Sequence, residues 1–454
     1  MSKAPERLRH PPIVIRSRGI DRRRFLWLMS AAGVGLSTGV MHGCATDPVT
    51  GKTVLVGMSE SQEINVDRQQ SPHQFSADYG PVQDGSVNAY LSGVGKELAG
   101  VSHRPDMPYS YRAVNANHVN AYAFPGGSIA VTRGILVEME NEAELAGLLG
   151  HETGHVAARH AAEQAGKTMV TQAAVMGGSL YASTRDPALG RAVAGLGSIG
   201  AGALLAHYSR NNEREADRLG MEYMVQTDHS PEGMVGLMDV LRSKNQRNPS
   251  AMELMFSTHP PSEERYQTAR RRADEQYAAY KNAPLNRERF MDETAPLHRL
   301  RPAIIEEQKG EREMGREAYT AAEGHFRTAL DMAPSDYTGN VLLGKSLLAQ
   351  EKPREAKRFF QRATEIYPQE AQAHHLVGMT ALFNGNFDAA YEQFDQYENL
   401  LPGNPNTIFL KGYALESMDQ RRSAAREYYR YLQQVNQGQA AQYSYKRLQA
   451  WGYL

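Results

Sequence analysis

NEAELAGLLGHETGH, residues 141–155, reads as an amphipathic helix with a histidine pair near its end. Asn141 suits an N-cap, and Glu144, three residues on, suits the reciprocal partner of a capping box. Leu145, Leu148, Leu149 and Val156 carry the helical spacing, predicted to run to about Gln164. His151 and His155 are four apart, so both rings leave one face and can turn a nitrogen to a single metal ion. Glu152 reaches a water on that ion without being a ligand. Alone, the pattern also fits a solvated helix with two surface histidines.

A catalytic zinc needs a third protein ligand and an open position for water. In the longer H-E-x-x-H-x-x-G-x-x-H pattern a histidine supplies it, but here Ala158 and Ala161 hold the glycine and histidine slots. His160 is one residue off and reads as an ordinary helical side chain. The remaining common option is a carboxylate from a second helix. Glu213-Arg214-Glu215-Ala216-Asp217 begins 58 residues after His155. Glu213 and Asp217 share a helix face, so one can bind metal while the other accepts a hydrogen bond from a ligand histidine. Glu215 is a rival carboxylate.

Outward from this pair, Pro125-Gly126-Gly127 marks a turn into the β-rich run Ile129–Val137. Helices with a few strands predict an α+β, mainly helical domain over residues 45–285. The Ala-, Gly- and Met-rich stretch Met169–Ala206 is cut by Arg185, Asp186 and Arg191 into pieces shorter than a membrane span of ~20 residues. It reads as a buried helical pair or a lid.

The C-terminal third is periodic. Gly310, Gly344, Gly378 and Gly412 are spaced by 34 residues, as are Ala322, Ala356, Ala390 and Ala424. Phe326, Phe360, Phe394 and Tyr428 keep the same step, and so do Pro334, Pro368 and Pro402, with Asn436 in the last slot. Period and pattern resemble the tetratricopeptide repeat, an α-solenoid with a concave surface for protein segments, over residues 303–454. Residues 286–302, flanked by Pro284 and containing Pro296 and Pro302, read as the linker.

Hydrophobic residues at 41% and charged residues at 22% are ordinary globular values, so no disordered or fibrous class is indicated. The formal charge of −1 hides an asymmetry. Residues 1–43 carry eight Lys or Arg against Glu6 and Asp21, which leaves 42 basic and 49 acidic residues beyond them. That acidic remainder lacks the basic footprint of nucleic-acid binding, so no nucleic-acid partner is expected. Arg22-Arg23-Arg24-Phe25-Leu26, an apolar run to Met41 and then Gly43-Cys44 look like an export signal over residues 1–43. The arginines resemble a twin-arginine signal, and Gly43-Cys44 resembles a lipoprotein cleavage box. Cys44 would then be lipidated, placing the protein in the bacterial periplasm, anchored to the outer membrane. As the single cysteine it excludes an intramolecular disulfide.

H-E-x-x-H followed by Glu-x-x-Ala-Asp resembles the M48 metallopeptidases. Asn120-Ala121-Tyr122-Ala123-Phe124-Pro125-Gly126-Gly127 is similar to that family's strand and turn before the metal helix, and Ser257 to Arg265 (STHPPSEER) to its segment after the third ligand. The resemblance implies a gluzincin-like zinc endopeptidase with one zinc ion per chain. His151, His155 and Glu213 would bind it, Glu152 would be the general base, and Asp217 would orient a ligand histidine. The family register favours Glu213 over Glu215. Asn120, Ala121, Tyr122 and Ala123 would pair with extended substrate backbone. His259 would be catalytic as an oxyanion donor, or would fill the open zinc position at rest, or would merely pack beside Pro260-Pro261.

The expected substrates are misfolded or unassembled envelope proteins recruited by the repeats, which can also contact outer-membrane assembly machinery. The competing reading makes the chain a chaperone or assembly scaffold in which the repeats dominate. A degenerate protease would lose its base or a ligand, whereas Glu152 and all three candidate ligands are present. A metallo-aminopeptidase would show an amine-binding signature, and none is evident.

Overall fold

The computed structural model describes residues 44–167, 208–247, 259 and 262–454. The export signal, the Met169–Ala206 stretch, and Ser257, Thr258, Pro260 and Pro261 lie outside the described residues. Among the described residues no helix is long and apolar enough to cross a membrane.

The chain begins with a small hairpin, β1 (Cys44–Thr46) and β2 (Thr53–Leu55), then helices α1 (Glu60–Ala77) and α2 (Gly85–Gly100). A three-stranded sheet comes next: β3 (Ser110–Val114), β4 (Ala121–Ala123) and β5 (Ser128–Thr132), in the order β3-β5-β4. β5 pairs parallel with β3 and antiparallel with β4. The short helix α3 (Arg133–Leu136) leads to α4 (Glu142–Ala157), which is buried along its whole length. Helices α5 (Arg210–Gln226) and α6 (Glu232–Arg247) pack against it, and α7 (Glu263–Arg271) packs on those two.

α4 stops earlier than its apolar spacing predicts. Ala158 is the C-cap, Arg159 takes the left-handed conformation at φ 56°, and a new helical segment starts at 160. The cause is tertiary. The Arg159 guanidinium donates to Glu63 at 3.1 Å and to the Met58 carbonyl at 2.8 Å, both near α1.

Residues 286–302, read from their prolines as a linker, are mostly helical: α8 (Arg287–Glu293) and the start of α9 (Ala295–Gly315). Pro296 sits in the first turn, where a missing N–H costs nothing. Phe290, Leu297 and Ile304, each seven residues apart, join the core of the first domain.

α9 and α10 (Tyr319–Met332) open a series of helical pairs: α11 (Tyr337–Ala349) with α12 (Pro353–Ile366), α13 (Ala371–Phe383) with α14 (Phe387–Leu400), and α15 (Pro405–Ser417) with α16 (Arg421–Leu432). α17 (Gln439–Ala450) covers the last pair. A Cβ added to Gly310, Gly344, Gly378 or Gly412 would fall 2.4–2.8 Å from the ring of Phe326, Phe360, Phe394 or Tyr428. Each glycine is therefore the seat on which its pair's second helix rests an aromatic ring. The repeat domain is joined to the first by buried charge. Arg133 donates through Nη1 to Asp336 at 2.6 Å and through Nε to Asn117 at 2.9 Å, and its Nη2 meets Glu307 on α9.

Candidate metal centre

α4 starts where its sequence indicates. Asn141 Oδ1 accepts the Glu144 N–H at 3.0 Å, and the Glu144 carboxylate accepts from Asn141 Nδ2 at 2.9 Å and from the Glu140 N–H at 2.7 Å. The facing helix α5 begins at the Ser209–Asn212 capping box, which places Glu213 in its positively polarised first turn. Small residues let the two helices close up. A Cβ on Gly150 would lie 3.0 Å from the Gly220 carbonyl, and one on Gly154 would lie 3.1 Å from the Ala216 carbonyl. That approach brings the α5 carboxylates to the α4 imidazoles.

His151, His155, Glu213 and His259 are buried and converge, each offering one ligand atom within 4.8 Å of the others. His151 Nε2 is 3.0 Å from His155 Nε2 and 3.3 Å from His259 Nδ1. Glu213 Oε1 lies 3.0 Å from His259 Nδ1 and 3.4 Å from His155 Nε2. Around zinc, bond lengths of ~2.0–2.1 Å give a tetrahedral edge of about 3.3 Å. The observed separations bracket that edge, and the imidazole and carboxylate donors suit a borderline cation. These residues therefore fit a zinc ion.

Behind the cluster, each α4 imidazole has a polar neighbour close to its second nitrogen. Asp217 Oδ1 stands 3.0 Å from His151 Nδ1, and His160 Nδ1 stands 2.9 Å from His155 Nδ1. A metal held by His155 Nε2 would leave its Nδ1–H to donate to His160, whose Nε2 faces Glu215 at 3.5 Å. Glu215 is thus outside the cluster, and Glu213 is in it. Arg265 grips both α5 carboxylates at 2.7 Å: Nε and Nη2 on Asp217, and Nη1 on Glu213. Tyr208 stacks on His155, centroids 4.0 Å apart. Among the described residues neither carboxylate oxygen of buried Glu152 has a hydrogen-bond partner, and Oε1 is 3.7 Å from His259 Nε2.

Burial alone would neutralise these groups, and their neighbours partly oppose it. Burial pushes the Glu152 carboxyl up, against the pull of His259 and His151. Burial also raises Glu213, but His259 and His155 outweigh it and hold Glu213 well below the carboxylate range. For Asp217 the burial penalty is outweighed by Arg265, leaving it below its ordinary value. Burial pushes His155 well down despite Glu213, whereas Glu213 and Glu152 overcome burial and raise His259.

Of the proposed strand residues, Ala121–Ala123 form β4, an edge strand, and Asn120 precedes it, its N–H donating to Thr132 Oγ1 at 3.1 Å. All four are buried, and the Tyr122 hydroxyl bonds Asp78 at 2.5 Å. Cys44 opens β1, opposite Leu55. His160, Arg265 and Tyr208 were not assigned roles from sequence. His160 misses the extended zinc pattern by one residue, and only the break at Arg159 turns it back to His155.

Residues 86–273 match the model of peptidase family M48, and residues 313–379 match that of the tetratricopeptide repeat. The chain is 29% identical over 231 residues to the beta-barrel assembly-enhancing protease of Yersinia pestis, covering 48% of this chain and 47% of that one. It is 34% identical over 165 residues to metalloprotease YcaL of Escherichia coli K12, covering 36% and 62%. It is 32% identical over 176 residues to mitochondrial metalloendopeptidase OMA1 of Schizosaccharomyces pombe, covering 39% and 50%. The chain thus spans about half the length of the curated relatives it matches. The helix pair with its histidines and facing carboxylate lies inside the first match, and the glycine-seated rings begin in the second, so this chain carries a peptidase family M48 domain followed by tetratricopeptide repeats.

Proposed function

We propose that this chain is a zinc-dependent endopeptidase of the bacterial cell envelope that cleaves misfolded or unassembled envelope proteins. The observation carrying this reading is the four-residue cluster beside the buried Glu152 carboxylate, which has no hydrogen-bond partner among the described residues. His151, His155 and Glu213 would hold zinc, with Asp217 and His160 fixing the imidazole orientations. Zinc, when bound there, supplies Lewis acidity that acidifies water and polarises the scissile carbonyl. Glu152 takes the water proton and returns it to the leaving amide nitrogen. Among the described residues no hydrogen-bond partner competes for either oxygen, which suits that transfer. β4, an edge strand of the sheet among the described residues, offers that edge to extended substrate backbone. His259, standing at the fourth corner of the cluster, is a resting-state plug that must leave before substrate enters.

The repeats recruit protein clients and can engage outer-membrane assembly machinery, as the name of the Yersinia relative suggests. Periplasmic location and a lipid anchor at Cys44 complete the reading, and Cys44→Ala should release the protein from the membrane fraction. The deciding experiment is Glu152→Gln. Zinc by elemental analysis should stay near one per chain while casein cleavage falls by roughly 10²–10⁴. Full cleavage by that variant would sink the mechanism.

A further inference from the structure

On the far side of the sheet from β4, a groove of about 890 Å³ runs between the M48 domain and the repeats. β3 forms its floor, α2 one wall, and the turn Tyr367-Pro368-Gln369 between α12 and α13 the other. The walls are tied together, because Gln83 Nε2 donates to the Ile366 carbonyl at 2.9 Å.

Backbone, charge and position point to one kind of occupant. Ala113 turns its N–H and C=O away from β5, and they are taken by Asn88 Oδ1 at 3.0 Å and by the Val82 N–H at 2.8 Å. By strand alternation Tyr111 turns its own N–H and C=O to that same side, and no described residue pairs with them. Lys96 and Arg112 line the groove, both exposed and in no ion pair among the described residues, and no Asp or Glu lines it. The floor also leads to the metal helix. The Tyr111 ring fills the space over Gly95, and its hydroxyl sits 2.9 Å from Thr153 Oγ1, beside Glu152.

We infer that this groove docks an extended, acidic segment of an unfolded protein as a strand added to β3. Unpaired strand groups select extended backbone. Uncompensated cations select carboxylates and speed their arrival. Cleavage of the docked protein rests on the endopeptidase reading, whereas docking itself does not.

The test uses the full chain carrying Glu152→Gln, which binds without cutting. The probe is a fluorescein-labelled peptide of about ten residues, alternating Val and Thr with three Asp, beside its Lys counterpart. By anisotropy, the Asp peptide should bind better than the Lys peptide. Lys96→Glu with Arg112→Glu should weaken it about tenfold and favour the Lys peptide. Both residues are exposed, so the double variant should fold, and an unchanged thermal melt checks this. Equal binding of the Asp peptide by the double variant, or of the two peptides by the parent, overturns the proposal. So does equal binding of a single-stranded DNA of the same charge, since charge alone would then suffice. Casein cleavage by the unaltered chain without peptide binding refutes the groove alone; peptide binding without casein cleavage refutes the endopeptidase reading alone.

Discussion

Arg265→Met removes the one cation that holds both α5 carboxylates. Three contacts of 2.7 Å disappear, two to Asp217 and one to Glu213, and both acids are buried. Removing one partner of a buried ion pair costs about 3–5 kcal/mol, because the remaining charge is left uncompensated. At ~2–4 °C per kcal/mol for a domain of this size, the metal-free chain should melt roughly 6–20 °C lower at neutral pH. Arg265→Lys keeps the charge but loses the planar fork, so its melt should fall between the two. The pH dependence gives a second reading. Arg265 holds Asp217 below its ordinary value of 3.8, so the stabilisation is complete above that value and is lost as pH falls through the depressed one. Parent and Met variant should therefore differ most near neutrality and converge in acid. The assay is a circular-dichroism melt of EDTA-treated protein across that pH range. A neutral-pH difference below about 2 °C, or one that persists unchanged in acid, would show that the guanidinium does not hold these carboxylates.

His151→Ala, His155→Ala and Glu213→Ala should each lose zinc by elemental analysis, while Glu215→Ala keeps about one per chain. The reverse pattern for the two glutamates would mean that the wrong carboxylate has been assigned. His259→Ala should cleave casein faster, since no side chain then competes for the fourth position; slowing of about 10²–10³-fold would make it an oxyanion donor instead. A chain ending at residue 318 should melt cooperatively, whereas one ending at 285 should not, because it lacks Phe290, Leu297 and Ile304 from the M48 core. Each of these buried side chains is worth about 1.5–3 kcal/mol, and an unchanged melt for the shorter chain would contradict the packing described.

The sequence carried the α4 cap, the histidine pair, the facing carboxylate and the repeat period, because each is a local spacing rule. Its failures were tertiary. Nothing in VAARHAA announces that Arg159 will turn left-handed to reach Glu63 and Met58, so His160 looked like one more helical residue. Arg265 lay within a recognised segment, yet its grip on two carboxylates of α5 depends on how α7 packs. Residues 286–302 carry two opposed signals, prolines that suggest a linker and the seven-residue spacing of Phe290, Leu297 and Ile304, and packing on the first domain's core decides for helix.

The glycine seats under the repeat rings also restrict how this domain can change length. A single inserted residue in α11 would rotate Gly344 by about 100° and present a Cβ-bearing neighbour to Phe360, which already fills the space a Cβ would need. The same holds for the other three seats. Loops between helices can absorb an insertion, but the helices cannot without unseating a ring. Length changes inside the solenoid should therefore be tolerated as whole 34-residue units, each bringing its own glycine and ring, and rejected as single-residue insertions in the first helix of a pair.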